Sequence, residues 1–119
     1  MVLVDTSIWI SHLRDDYPEL KELLLEGKVV CHSFVIGELA CGNLKNRREI
    51  LSLMKALPMA IQAEHEEILR FIETHHLIGM GLGYIDVHLL ASALLSGISL
   101  WTHDIPLIKA SRKLEILFD

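Results

Sequence analysis

Cysteine is scarce in this chain: two residues among 119, Cys31 and Cys41. They are too far apart for a Cys-x-x-Cys motif, and neither has neighbours spaced like a zinc site. Buried free thiols in a reducing compartment are therefore expected. Basic residues are also few: 11 Lys and Arg stand against 16 Asp and Glu, a net charge of −5. Proteins that grip nucleic acid more often carry a basic surface. A nucleic-acid-binding protein of this charge must rely on local basic patches and metal ions, or act with a partner. No long apolar run is uninterrupted. The longest, Leu82 to Trp101, contains Asp86 and His88, which argues for a buried helix and strand and against a membrane span. The N-terminus has no basic region, and Asp5 breaks its apolar run early, so no signal peptide is expected and the location is read as cytoplasmic. Repeats, linkers and low-complexity segments are missing. What remains is one domain over 1–119 with a full core, since 51% of the chain is hydrophobic.

Apolar runs of strand type alternate with helical patterns. Val2-Leu3-Val4 is a buried first strand that ends in Asp5, and a short helix follows with Thr6 or Ser7 near its N-cap. Pro18 opens a second helix and Gly27 ends it. Lys28 to His32 reads as a strand, and Ser33 caps the helix that carries Glu38. A helix over Glu49–Leu57 closes at Pro58, Met59-Ala60-Ile61 reads as a strand, and a long helix spans Ala63–Leu77. After the glycine loop Gly79 to Gly83 comes Tyr84–Leu95, apolar on most sides and hence central. Ser99–Thr102 is a strand, Asp104–Lys113 a helix, and Leu114–Phe118 a final edge strand. The alternation implies an α/β domain with a parallel sheet of four to five strands, covered on both faces and joined by right-handed crossovers.

Four acids stand out. Asp5 and Asp104 each follow a strand pattern and precede a helix pattern, and ligand sites in such folds collect at the C-terminal ends of strands. Glu38 and Asp86 lie in otherwise apolar helical segments, where a bare charge is costly. Each alone has a plain reading: Asp5, Asp86 and Asp104 as helix caps, Glu38 as a surface residue. Together they suggest one site. Four converging carboxylates cannot all stay ionised without a cation. A shell of hard oxygens suits Mg²⁺ or Mn²⁺, which can activate water against a phosphodiester.

Asp5-Thr6-Ser7-Ile8-Trp9-Ile10, Ile36-Gly37-Glu38-Leu39, Tyr84 to Ala93 and Leu100-Trp101-Thr102-His103-Asp104 resemble the four blocks of a PIN domain, in the family's order and over nearly the whole chain. More narrowly they resemble the VapC-type toxins of bacterial toxin–antitoxin pairs. The resemblance implies a three-layer α/β/α ribonuclease with Asp5, Glu38, Asp86 and Asp104 as catalytic acids. Asp5, Asp86 and Asp104 would hold Mg²⁺ (or Mn²⁺), with a hydroxyl of Thr6 or Ser7 assisting. It also implies RNA as substrate, a cognate antitoxin as partner, and a homodimer. Where the family often has a basic residue before the last acid, this chain has His103, which either contacts phosphate when protonated or packs.

Gly79-x-Gly81-x-Gly83 is not a dinucleotide fingerprint, because Tyr84 stands where a third glycine would be needed. It reads as a flexible entrance loop. Basic residues cluster at Lys45-Arg47-Arg48 and Lys109-Arg112-Lys113. Either is a solvated face or a rim that holds RNA phosphates. Trp9, Leu13, Leu53, Met54 and Leu57 are either core or an association surface. Two rivals belong to other classes. A phosphotransfer α/β domain is disfavoured by Ser7, two residues after Asp5, and by Gln62 after the third strand. A PIN-fold binding module with little or no nuclease activity is the alternative, though all four acids are present.

Overall fold

The computed structural model describes residues 1–119. Val2–Val4 forms β1, every residue of it buried. Apolar residues on both faces suit the middle strand of a parallel sheet. That is its place: Val29–Val30 (β2) and Ser99–Trp101 (β3) flank it, both parallel, in the order β2-β1-β3. The register pairs Leu3 with Val30 on one side and with Leu100 on the other.

Helices follow the strands in turn: Thr6–Asp15 (α1), Pro18–Leu25 (α2), Ser33–Ala40 (α3), Arg47–Lys55 (α4), His65–Thr74 (α5), Tyr84–Ser96 (α6) and Ile105–Lys113 (α7). The α6 helix is the central one. Residues Val87 to Ala93 are all buried, and the helix packs on β1 and β3 as well as on α5 and α7. Gly97 ends it in the left-handed conformation (φ 66°) that other residues adopt at a cost. The main core joins Leu3, Val4, Ile8, Leu20, Leu89, Leu90, Leu100 and Leu107. A smaller cluster of Ala63, Ile68, Val87 and Ala91 seals α5 to α6. No helix is long and apolar enough to cross a membrane.

The sheet has three strands instead of four to five. The two expected outer strands are single bridges, Cys31 to Met59 and Leu100 to Leu117. Met59 and Ile61 are exposed, so nothing packs that segment into a longer ladder. On the other edge Glu115 takes a positive φ (59°), which turns the chain just before the bridge. Of the apolar residues in doubt, Trp9 and Met54 are core, Leu13 and Leu57 are half-buried, and only Leu53 is exposed. Cys31 is buried, and burial pushes its thiol up to about 11; Cys41 is exposed, against the expectation of two buried thiols.

The cap of α3 is also different. His32, not Ser33, holds the N-cap position, and its Nδ1 accepts the Phe34 N–H at 3.0 Å. That bond requires neutral imidazole with its proton on Nε2, an atom buried without a partner. Burial, then the neighbouring His88, lowers the His32 pKa from 6.5 to about 4. The unfolded chain takes up this proton near 6.5 while the folded one refuses it until about 4. The stability contribution is whole above 6.5 and is lost as pH falls through about 4. Urea midpoints measured from pH 7.5 to 4 should decline across that window, and less steeply in His32→Asn. An identical decline in the variant would remove His32 as the cause.

Candidate active site

The pairing of β1 with β3 brings two strand ends side by side. Asp5 follows β1 directly, and its N–H donates to the Trp101 carbonyl at 2.9 Å, carrying the ladder one residue further. Asp5 is buried, 7% exposed as a residue. A buried carboxylate needs donors. Two hydroxyls supply them, both to Oδ2: Thr102 at 2.7 Å and Ser7 at 2.8 Å. Each hydroxyl has one proton to give, so the 3.4 Å approach of Ser7 to Thr102 adds no further bond. The same hydroxyls accept from the chain beyond β3. Ser7 Oγ takes the His103 N–H and Thr102 Oγ1 takes the Asp104 N–H, both at 3.0 Å. Asp104 is thereby fixed relative to Asp5.

The other two acids arrive on helices. Glu38, exposed on α3, accepts the Thr6 hydroxyl through Oε1 at 2.7 Å. Asp86, in the first turn of α6, folds back and accepts the Gly83 N–H through Oδ2 at 2.9 Å. Asp104 itself caps α7, its Oδ2 accepting the Leu107 N–H at 3.2 Å. The cap reading and the site reading are thus compatible, because each carboxylate engages one oxygen in the scaffold. Asp5 Oδ1, Glu38 Oε2, Asp86 Oδ1 and Asp104 Oδ1 accept no protein hydrogen bond.

Asp86 feels the charges of the other three acids. Burial raises the Asp86 pKa first, and the charges of Asp104, Asp5 and Glu38 raise it further, against the opposing Gly83 N–H. The donor set is all oxygen and its members repel, which suits a hard divalent cation. No three His, Cys, Asp or Glu side chains form a ready cage. Mg²⁺ is commonly held by one or two carboxylates with waters completing its shell.

Both expected hydroxyl residues lie at the site, Thr6 on Glu38 and Ser7 on Asp5. They are free to do so because Asp5, not Thr6 or Ser7, takes the N-cap position of α1. His103 is exposed, with its ring 5.7 Å from that of Tyr17. Thr102 carried no assigned role in the sequence. Its signal was a hydroxyl at the end of a buried strand, two residues before an acid. From the first basic cluster, Lys45 shares a groove with one of the four acids. Lys45, Arg14 and Glu38 line one groove of about 540 Å³, whereas Lys113 donates to the His76 carbonyl at 2.9 Å.

Comparison with known proteins agrees with this architecture. Residues 2–113 match the PIN domain family. Ribonuclease VapC32 from two strains of Mycobacterium tuberculosis is 46% identical over 105 residues, 87% of this chain and 85% of that protein. PAE2754 from Pyrobaculum aerophilum, a crystal structure, has the same fold at a TM-score of 0.63 and 17% identity, over 94% of this chain and 80% of that one.

Replacing Thr102 by Val keeps its shape but removes one donor to Asp5 and the acceptor of the Asp104 N–H. The loss should be about 1–3 kcal/mol of unfolding free energy, with Thr102→Ser recovering most of it. Equal stability of the Val variant in urea titrations would show that Asp5 does not need this hydroxyl.

Proposed function

The chain belongs to the PIN domain family, and on that premise we propose that it is a metal-dependent ribonuclease, the toxin of a toxin–antitoxin pair. One observation carries the site assignment: four carboxylates, each anchored through one oxygen, leave a second oxygen without a protein partner. Asp5, Asp86 and Asp104 hold Mg²⁺ or Mn²⁺ in this reading, and Glu38 completes the shell. When bound, the ion supplies a polarised water and neutralises charge on the phosphodiester. Ser7 and Thr102 orient Asp5, as partners of a metal ligand commonly do, and Thr6 orients Glu38. His103, exposed beside Asp104, contacts phosphate when protonated.

Lys45 and Arg14, in the groove shared with Glu38, offset the chain's net negative charge where the RNA backbone passes. The further partners are a cognate antitoxin and a second copy of this chain. The exposed Leu53, Leu94 and Leu95 offer apolar surface for such contacts. The proposed location is the cytoplasm.

Purified protein should cleave single-stranded RNA with Mg²⁺ or Mn²⁺ and stop when the ion is chelated. Asp5→Asn should lower the rate by more than about a hundred-fold, beyond what losing an orienting partner costs. Metal binding without cleavage of any RNA would favour the binding-module reading. A failure to bind metal would undo the four-acid assignment.

Lys45→Ala should weaken RNA binding and reduce the slope of log K against log salt by about 0.7 for each phosphate that is no longer neutralised. An unchanged slope in binding titrations at several salt concentrations would return this cluster to the solvated surface.

A further inference from the structure

Four aromatic rings form a row between α3, α5 and α6, starting one turn from Glu38. Phe34 precedes Glu38 by four residues on α3 and so lies on the same helical face. Its ring centroid is 4.6 Å from that of His88. His88 is four residues after Tyr84 on α6, and those centroids are 4.7 Å apart, edge to face at 80°. Tyr84 meets His65, at the start of α5, at 5.6 Å, and its hydroxyl and His65 Nδ1 share a hydrogen bond of 2.8 Å. The row is buried at one end and open at the other. His88 is buried and Phe34 half-buried, whereas His65 is exposed and Tyr84 is 45% exposed. Tyr84 stands two residues before Asp86, in the same first turn of α6.

An exposed tyrosine on a protein of this kind is ordinarily free to swing. This one is held from two sides: His88 supports the ring and His65 fixes its hydroxyl. A flat π surface held in place in the same helical turn as Asp86 is what an unstacked base can use, since recognition of single-stranded RNA relies on aromatic platforms. The chain's charge adds a reason. At −5 overall it gains little from general attraction to phosphate, and stacking does not depend on charge. Resting on the ribonuclease reading, we infer that Tyr84, supported by His65 and His88, is a stacking platform for one unpaired RNA base flanking the scissile phosphate.

Binding of a single-stranded oligoribonucleotide, followed by fluorescence anisotropy in the Asp5→Asn background to prevent cleavage, tests this across a salt series. Tyr84→Ala should weaken binding about ten-fold, within the range for loss of one stacked base, and by the same factor at every salt concentration. Tyr84→Phe keeps the π face and the His88 contact but gives up the His65 hydrogen bond, so its loss should be about two- to three-fold, well short of the Ala variant. Tyr84→Leu keeps the apolar bulk and should behave like the Ala variant, which guards against a folding artefact. An abasic residue moved along the oligonucleotide should cost the Tyr84 protein about ten-fold at one position and cost Tyr84→Ala nothing there. Unchanged affinity of the Ala and Leu variants would overturn the platform. So would a loss that changes the salt slope, or an abasic penalty that persists without the ring. RNA cleavage by the unsubstituted protein, run alongside, separates the two readings. Cleavage without this coupling sinks the platform alone, whereas no cleavage and no binding sinks both.

Discussion

A buried carboxylate constrains how the strand ends of this molecule can meet. Asp5 sits at the end of the central strand, almost removed from water, where an ionised group is costly unless donors surround it. The Ser7 and Thr102 hydroxyls both give their protons to one of its oxygens, and both accept backbone N–H groups from the turn after β3. The network ties positions 5, 7, 102, 103 and 104 together, across almost the whole length of the chain. It can form only if β1 and β3 are neighbours and in this register. The apolar core brings the strands together, and the hydroxyls then set where Asp104 stands.

The same arrangement concentrates charge of one sign. The acid form of Asp86 is favoured, through burial first and through the charges of Asp104, Asp5 and Glu38 after it. Such a cluster opposes folding in the absence of a cation. The fold tolerates it because each acid also serves the scaffold. Asp104 caps α7, Asp86 caps α6 through the Gly83 N–H, and Glu38 receives the Thr6 hydroxyl. The α6 helix connects this cluster to the interior. Its first turn carries Tyr84 and Asp86, and its next two turns are wholly buried. A displacement of that helix would disturb the acids, the aromatic row and the core at once.

Much of this was legible in the residues. The alternation of apolar runs and helical periods indicated a parallel sheet flanked by helices. The continuous apolar character of Tyr84 to Leu95 marked α6 as central, and Gly27 and Gly97 marked helix ends. The outer strands were overread. Met59-Ala60-Ile61 and Leu114–Phe118 have strand-like composition, but pairing needs a neighbour to pack against and a backbone free to run straight. Met59 and Ile61 are solvent-facing and Glu115 turns the chain. The cap of α3 was misplaced by one residue because a serine is the common cap, while a buried histidine reached the Phe34 N–H instead.

Residue type and order were enough to single out four acids for one proposed site, because a carboxylate at a strand end or within an apolar helix is costly and needs a reason wherever it occurs. They could not tell which oxygen of each acid would be engaged. That depends on donors up to ninety-seven positions away, as between Thr102 and Asp5. Nor could they show that Trp9 and Met54 are core while Tyr84 lies open, since helical phase leaves each with two possible faces. Those choices belong to the tertiary structure, where hydrogen bonds and packing select among local options that cost nearly the same.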